Sequence, residues 1–279
     1  MSLFETDIIL HALQITGLVF VMMVIIDWLD VRTRGRLPLW IADSKMKQYT
    51  VAGLLGLTPG CMGSYMNVSL YMHGYLTMGA IVGGMIATTG EAALLMFALF
   101  PKTALILHLL LVGFGIFFAY VTDFIIRIFK INGKCECEDI VYHRDETSFK
   151  HYLREHLWSH ILKKHIWRIF LWTFLAIWFV HLGENYFDLR GFVSAHPQLV
   201  LLLAVLVGLI PDVAPQFIFV FMFSDGLIPF SVLLTSSFIQ NGHGLIPLLS
   251  YSVKNSLIIK SFNVIFGILV GITFMALGF

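Results

Sequence analysis

Charge is scarce in this chain. Asp, Glu, Lys and Arg make up 13% of its 279 residues, about half the share of a soluble domain, which excludes an ordinary water-borne globule. The 18 basic and 17 acidic side chains nearly cancel, to +1, so nothing draws a nucleic acid and no such partner is expected. Cysteine is almost absent. Of Cys61, Cys135 and Cys137, the last two are too close for a comfortable bridge, which leaves no disulfide framework. There is no G-x-x-x-x-G-K-[ST] loop for ATP and no H-E-x-x-H motif, and no resident cofactor is called for. Residues 1–30 lack the basic start and small-x-small cleavage site of a secretory leader. They open with Glu5 and Asp7 instead, and read as a first membrane helix.

What is abundant is apolar. The chain is 58% hydrophobic, holds 25 Phe and has a mean hydropathy of +0.85. Apolar runs at 8–26, 103–122, 166–180, 198–222 and 255–279 approach or pass the roughly 20 residues that cross the hydrocarbon as a helix. The fold class is therefore all-α, a polytopic membrane protein whose partner is the lipid bilayer. The expected location is a plasma membrane of the bacterial inner-membrane kind, and the sequence leaves a homo-oligomer open.

Sliding the chain by 152 positions aligns 52–116 with 204–268 without a gap. Gly56-Leu57 meets Gly208-Leu209, Pro59 meets Pro211, Gly74 meets Gly226, Gly90 meets Gly242 and Lys102 meets Lys254. Matches of Leu and Ile are cheap here, but recurrent helix breakers in register are not. The chain thus reads as a first repeat (1–128), a hydrophilic linker (129–164) and a second repeat (165–279). Each half has a long helix, a polar stretch, a segment broken at Pro59 or Pro211, one broken at Gly90 or Gly242, and a closing helix. Arg32, Arg34 and Arg36 beside the first helix, and the basic residues around the linker, place both regions in the cytoplasm. An odd number of spans per half then follows, and we expect inverted rather than parallel repeats.

In hydrocarbon every backbone N–H and C=O needs a partner, so a broken helix belongs beside protein or a watery cavity. Matched breaks in two halves point to a transporter's midplane site. Pro59, Gly90, Pro211 and Gly242 are the expected hinges. Around them “ATTGEA” supplies Thr88, Thr89 and Glu91, and “IQNGHG” supplies Gln240, Asn241 and His243. “PGC” supplies Cys61, with Asn67 beyond it, and “PDVAPQ” supplies Asp212 and Gln216. A carboxylate near the bilayer centre costs at least about 2.5–3.5 kcal/mol on insertion scales, so Glu91 and Asp212 are expected to work, with a cation or proton as partner. Carboxylates, amides and hydroxyls are hard donors suited to Mn, Mg or Ca, and one imidazole shifts the balance toward Mn or Zn. The expected metal ligands are Glu91, Asp212, His243 and Cys61, with Thr88, Thr89, Gln240, Asn241, Gln216 and Asn67 completing the substrate shell.

Other signals are weaker. Met62, Met66, Met72, Met78, Met85 and Met96 read as packing residues. “KCECED” with His143, His151, His156, His160 and His165 reads first as a solvated linker, with a metal-acquiring loop as the alternative. Asp123 and Arg127 read as an i,i+4 pair. His108 and Lys260, repeat mates inside the closing helices, are placed to carry a proton or to pair with Glu91 or Asp212.

“GLTPGC” with “LYMHGYLTMGAIVGGMIATTGEAAL”, then “GLIPDVA” with “DGLIPFSVLLTSSFIQNGHGLIPLL”, resemble the ten-transmembrane heavy-metal exporter family, also labelled manganese transporters. The opening “HALQITG…IIDWLDV” is similar to that family's first helix. The resemblance implies metal-ion efflux, with arsenic-related labels on relatives, and puts Cys61, Glu91 and Asp212 on family elements. The chain departs from the pattern at Gly60 and at Gly90, where a polar residue and an aspartate are usual. The expected function is a secondary transporter, not an enzyme, that exports a divalent cation, Mn2+ in first place, by alternating access with protons exchanged at the carboxylates. An efflux permease for an arsenical or other small solute is the alternative, followed by a metal-dependent intramembrane enzyme or a membrane sensor.

Overall fold

The computed structural model describes residues 43–130 and 189–279, apart from 61, 73, 211, 246, 247, 250 and 251, with isolated positions in 9–17 and 170–178. The first helix, the linker with its cysteines and histidines, Cys61 and Pro211 lie outside the described residues, as does the side chain of His243. The described residues form helices and short connections only. In chain order these are α1 (Lys45–Leu57), α2 (Met62–Met72), α3 (Met78–Ala87), α4 (Ala92–Leu99) and α5 (Pro101–Phe129). They continue as α6 (Leu189–Ala195), α7 (Pro197–Gly208), a 3-10 turn (Ala214–Gln216) running into α8 (Phe217–Ser224), and α9 (Phe230–Ile239). A second 3-10 turn (Gly242–Gly244) and α10 (Val253–Ala276) complete them.

Helix bounds keep the offset seen in the residues: α1 and α7 start at 45 and 197, α3 and α9 at 78 and 230, α5 and α10 at 101 and 253. Each difference is 152. The apolar run 198–222 is not one span, because the helix stops at Gly208 and resumes at Ala214. Likewise α3 ends at Ala87 and α4 begins at Ala92. A ten-residue helix rises about 15 Å, half of the roughly 30 Å hydrocarbon, so each break falls about halfway along the length of a span. Gly74 and Gly226, at φ +76° and +68°, make the turns that lead from α2 to α3 and from α8 to α9.

Helices α5 and α10 are long and apolar enough to cross a membrane, and their faces are inverted relative to a soluble helix. Leu105, Ile106, Leu109, Phe117, Tyr120, Phe124 and Ile128 point outward on α5, while Ala104, His108, Gly115, Ala119, Thr122 and Asp123 point inward. The outward face is mainly large and apolar, whereas the inward face mixes Leu107 and Leu111 with small and polar side chains. In lipid, helices associate through close packing and hydrogen bonds rather than hydrophobic exclusion, and α3 packs along α5 in that manner. A Cβ on Gly115 would stand 2.6 Å from the Gly83 carbonyl oxygen, and one on Gly83 would stand 2.9 Å from the Ala119 Cβ. Asp123 seals one end of this seam. It accepts from the Tyr49 hydroxyl (2.7 Å) and the Gly79 N–H (2.8 Å), with Lys45 3.5 Å away. Its partners therefore stand on α1 and α3, not at Arg127, which is exposed on its own helix. An aromatic seam joins the halves: Phe118 stacks on Phe266 at 4.2 Å between centroids, and Phe114 and Phe118 both meet Phe238. Met78, Met85 and Met96 are buried core residues, as their packing reading requires.

Candidate functional site: the junction of the breaks

Four interruptions separate the half-length helices, described at 58–60, 88–91, 209–210 with 212–213, and 240–241, and they converge. The Gly60 N–H donates to the Gly90 carbonyl at 3.0 Å, joining the first two. A Cβ on Gly90 would lie 3.0 Å from Val213 Cγ2 and 3.9 Å from the Gly242 Cα, so the second meets the third and fourth. A Cβ on Gly244 would lie 2.6 Å from the Ser64 Cβ. Gly90 and Gly242 have φ of +59° and +60°, the left-handed region that only glycine enters cheaply. Breakers 152 residues apart therefore take the same backbone conformation and touch each other's neighbourhoods across the halves.

Polar side chains gather at this junction. Thr88, Thr89, Glu91, Gln216, Gln240 and Asn241 are between 1% and 4% exposed. Pro59 lies in the first break, half-buried. Glu91 is the N-cap residue of α4. Asp212, half-buried, accepts from the Ala214 N–H at 3.1 Å, at the start of the 3-10 turn that leads into α8. Both carboxylates thus sit at the amino ends of second half-helices, where unpaired N–H groups and the helix dipole favour negative charge. They flank the Gly90–Val213 contact from either side. Among the described residues no three His, Cys, Asp or Glu side chains gather as a metal-ion cluster. Cys61 and the His243 side chain, the other two expected ligands, are outside the described set. His243 itself lies in the 3-10 turn Gly242–Gly244.

The amides are oriented by their partners. Asn241 Oδ1 accepts from the Lys260 ammonium at 2.8 Å, and Gln240 Oε1 accepts from the Gly242 N–H. Those donors fix which end of each amide is oxygen, and leave Asn241 Nδ2 and Gln240 Nε2 buried without a partner. Asn67 is turned the other way. Its Nδ2 donates to the Ala52 carbonyl at 2.9 Å, leaving Oδ1 buried and unpartnered. Gln216 Nε2 meets Ser237 Oγ at 3.0 Å, leaving Oε1 without a partner. A buried polar atom without a partner costs about 1–3 kcal/mol, so the junction holds unspent acceptors on α2 and the first 3-10 turn, and unspent donors at the fourth break. Asn241 and Gln240 were expected in the substrate shell, and the oxygen of each accepts one hydrogen bond from within the protein.

Behind the junction stand two buried groups from the closing helices. His108 Nδ1 lies 2.7 Å from the Ala104 carbonyl, and Nε2 lies 2.8 Å from Thr89 Oγ1. A carbonyl only accepts, so Nδ1 carries the proton, and in the neutral ring Nε2 accepts from the Thr89 hydroxyl. Thr88 Oγ1 turns back to the Gly84 carbonyl at 2.8 Å. Lys260 reaches Asn241, the repeat mate of Thr89, so the pair His108 and Lys260 serve equivalent places in the two halves. Asn263, one turn beyond Lys260 on α10, is fully buried with both amide ends unpartnered. Sequence reading passed over it, although its i,i+3 spacing from Lys260 puts it on the same face.

No curated protein and no solved structure matches the chain. A family model does, over residues 9–189 and 172–277, and its description is “Putative, 10TM heavy-metal exporter”. Lipid-facing closing helices and a deep polar junction are what an integral membrane exporter needs, and with matches that reach from residue 9 to residue 277 the chain belongs to that family.

Proposed function

We propose that this chain is a secondary transporter that exports a divalent metal cation, Mn2+ in first place, by alternating access through the junction of the breaks. One observation carries the reading: interruptions from both halves meet at Gly90, Val213 and Gly242. Broken helices expose backbone groups where a solute can use them, and a solute held between two halves can be passed from one face to the other as they rock. Glu91 and Asp212 are the charged ligands in this reading, and His243 and Cys61 are the other proposed ones. The unpartnered oxygens of Asn67 and Gln216 are hard donors of the kind Mn2+ accepts. Proton exchange at the two carboxylates would supply the driving force, and the halves would be inverted.

A second reading has its own support. Asn241 Nδ2 and Gln240 Nε2 are unpartnered donors, which suit an oxygen-bearing solute such as an arsenical. Purified protein in liposomes, offered Mn2+, Zn2+, Mg2+, Ca2+ and arsenite with and without a pH gradient, separates the two. We expect Mn2+ flux that rises with the gradient and is lost, at least tenfold, in Glu91→Gln and in Asp212→Asn. Parental Mn2+ flux in both variants would end the cation reading, and arsenite flux in its place would establish the second.

A further inference from the structure

Lys260 is a feature of the junction that a cation site does not call for. Its ammonium lies 2.7 Å from the Gly208 carbonyl oxygen, 2.8 Å from that of Ile239 and 2.8 Å from Asn241 Oδ1. Gly208 is the last residue of α7 and Ile239 the last of α9. An ammonium has three N–H donors and no acceptor, and all three are used here. A neutral amine has two donors and would leave one of these oxygens unpaired. The three oxygens form the kind of cage that holds a bound monovalent cation, and the two carbonyls are the negative ends of two half-helices.

The first half is closed differently. A Cβ on Gly56, the mate of Gly208, would run into the Gly84 carbonyl and stand 2.9 Å from the Ala87 Cβ. The ends of α1 and α3 therefore touch directly. His108, the mate of Lys260, bonds Ala104 on its own helix and Thr89 only. Both halves close on a glycine, since a Cβ on Gly208 would stand 2.9 Å from Ile239 Cγ2, and only the second adds a charge.

We propose that Lys260 is a resident cation and a positioning residue: its ammonium fills an oxygen cage that ties α7 to α9 and turns the Asn241 amide so that Nδ2 faces the junction. A dication ligated by Asn241 Oδ1 would sit within about 4 Å of this ammonium, where like charges repel strongly outside bulk water. Asn241 is therefore not a metal ligand. The inference rests on the junction as the transport site for its effect on flux, but the cage itself does not.

Lys260→Ala removes three methylenes and the ammonium, a deletion that propylammonium matches atom for atom. In detergent, propylammonium chloride is expected to raise the melting temperature of Lys260→Ala by several degrees, while 1-propanol and NaCl leave it unchanged. In liposomes, Mn2+ flux is expected to fall at least tenfold and to recover severalfold with propylammonium. Lys260→Met, with the space filled by an uncharged chain, is expected to lose flux and to gain nothing from the amine. Equal rescue by 1-propanol would show that space rather than charge matters, and parental flux in Lys260→Met would overturn the proposal. Where Lys260→Ala does not accumulate, Lys260→Gln keeps most of the length with two donors: flux loss in a folded protein supports the cage, and full flux overturns it. A parental protein that moves no Mn2+ while the alanine variant still gains stability from propylammonium refutes the cation reading and leaves the resident cation standing.

Discussion

Replacing Gly90 by alanine tests whether contact between the breaks organises the molecule. Gly90 has φ +59°, and its added Cβ would stand 3.0 Å from Val213 Cγ2. An L-residue in the left-handed region costs about 1–2 kcal/mol, and forcing a methyl into a packed site costs about 1–3 kcal/mol. The sum is about 2–5 kcal/mol. Gly242 is the internal control, because its φ is +60° but its nearest neighbours would lie at 3.6 and 3.8 Å, so Gly242→Ala carries only the backbone cost of about 1–2 kcal/mol. Thermal unfolding in detergent should therefore rank Gly90→Ala below Gly242→Ala, with Mn2+ flux following the same order. Val213→Ala removes the methyl that Gly90→Ala strikes, so the double variant should recover the packing share of the loss but not the backbone share. Equal losses at the two glycines, or a double variant no better than additive, would refute the claim that the second and third breaks bear on each other.

Two further perturbations probe the frame around the junction. Asp123→Ala leaves the Tyr49 hydroxyl and the Gly79 N–H without their acceptor; at about 1–3 kcal/mol for each stranded donor, a loss of roughly 2–6 kcal/mol is expected in the melt, and a smaller one for Asp123→Asn. A stable Asp123→Asn that nonetheless fails to transport would move Asp123 from frame to mechanism. Gly83→Val should prevent α3 from seating on α5 and abolish the monodisperse peak in size exclusion, whereas Gly113→Ala, with nothing within 4 Å, should behave as the parent.

The breaks were legible in the sequence because glycine and proline carry local information. A residue that must take φ near +60° announces itself as glycine, and its recurrence at Gly90 and Gly242 announced the pairing. Depth was legible too, since Thr88, Thr89, Gln240 and Asn241 interrupt otherwise apolar runs and are buried. What the residues could not disclose was the direction of each polar group. Asn67 and Asn241 are the same amide, yet one presents oxygen and the other nitrogen, because Ala52 offers a carbonyl 15 residues away and Lys260 an ammonium 19 residues away. The Asp123–Arg127 spacing failed for a related reason. An i,i+4 pair is worth only a few tenths of a kcal/mol, and a buried carboxylate gains more from a hydroxyl and an amide on neighbouring helices.

Charge placement follows one electrostatic rule across the junction. Glu91 and Asp212 stand at the amino ends of α4 and of the turn into α8, and Lys260 stands at the carboxyl ends of α7 and α9. Each charge meets the opposite pole of a half-helix, which offsets part of what it loses by leaving water. A continuous helix would bury those poles in its own hydrogen-bond ladder and leave three charges unsupported. The breaks thus create the poles that let ionised groups reside so deep, and the charges in turn hold the broken ends in place. In the proposed transport cycle a solute would displace or join this balance, and the carboxylates, each at the start of a half-helix, are where an arriving cation would act.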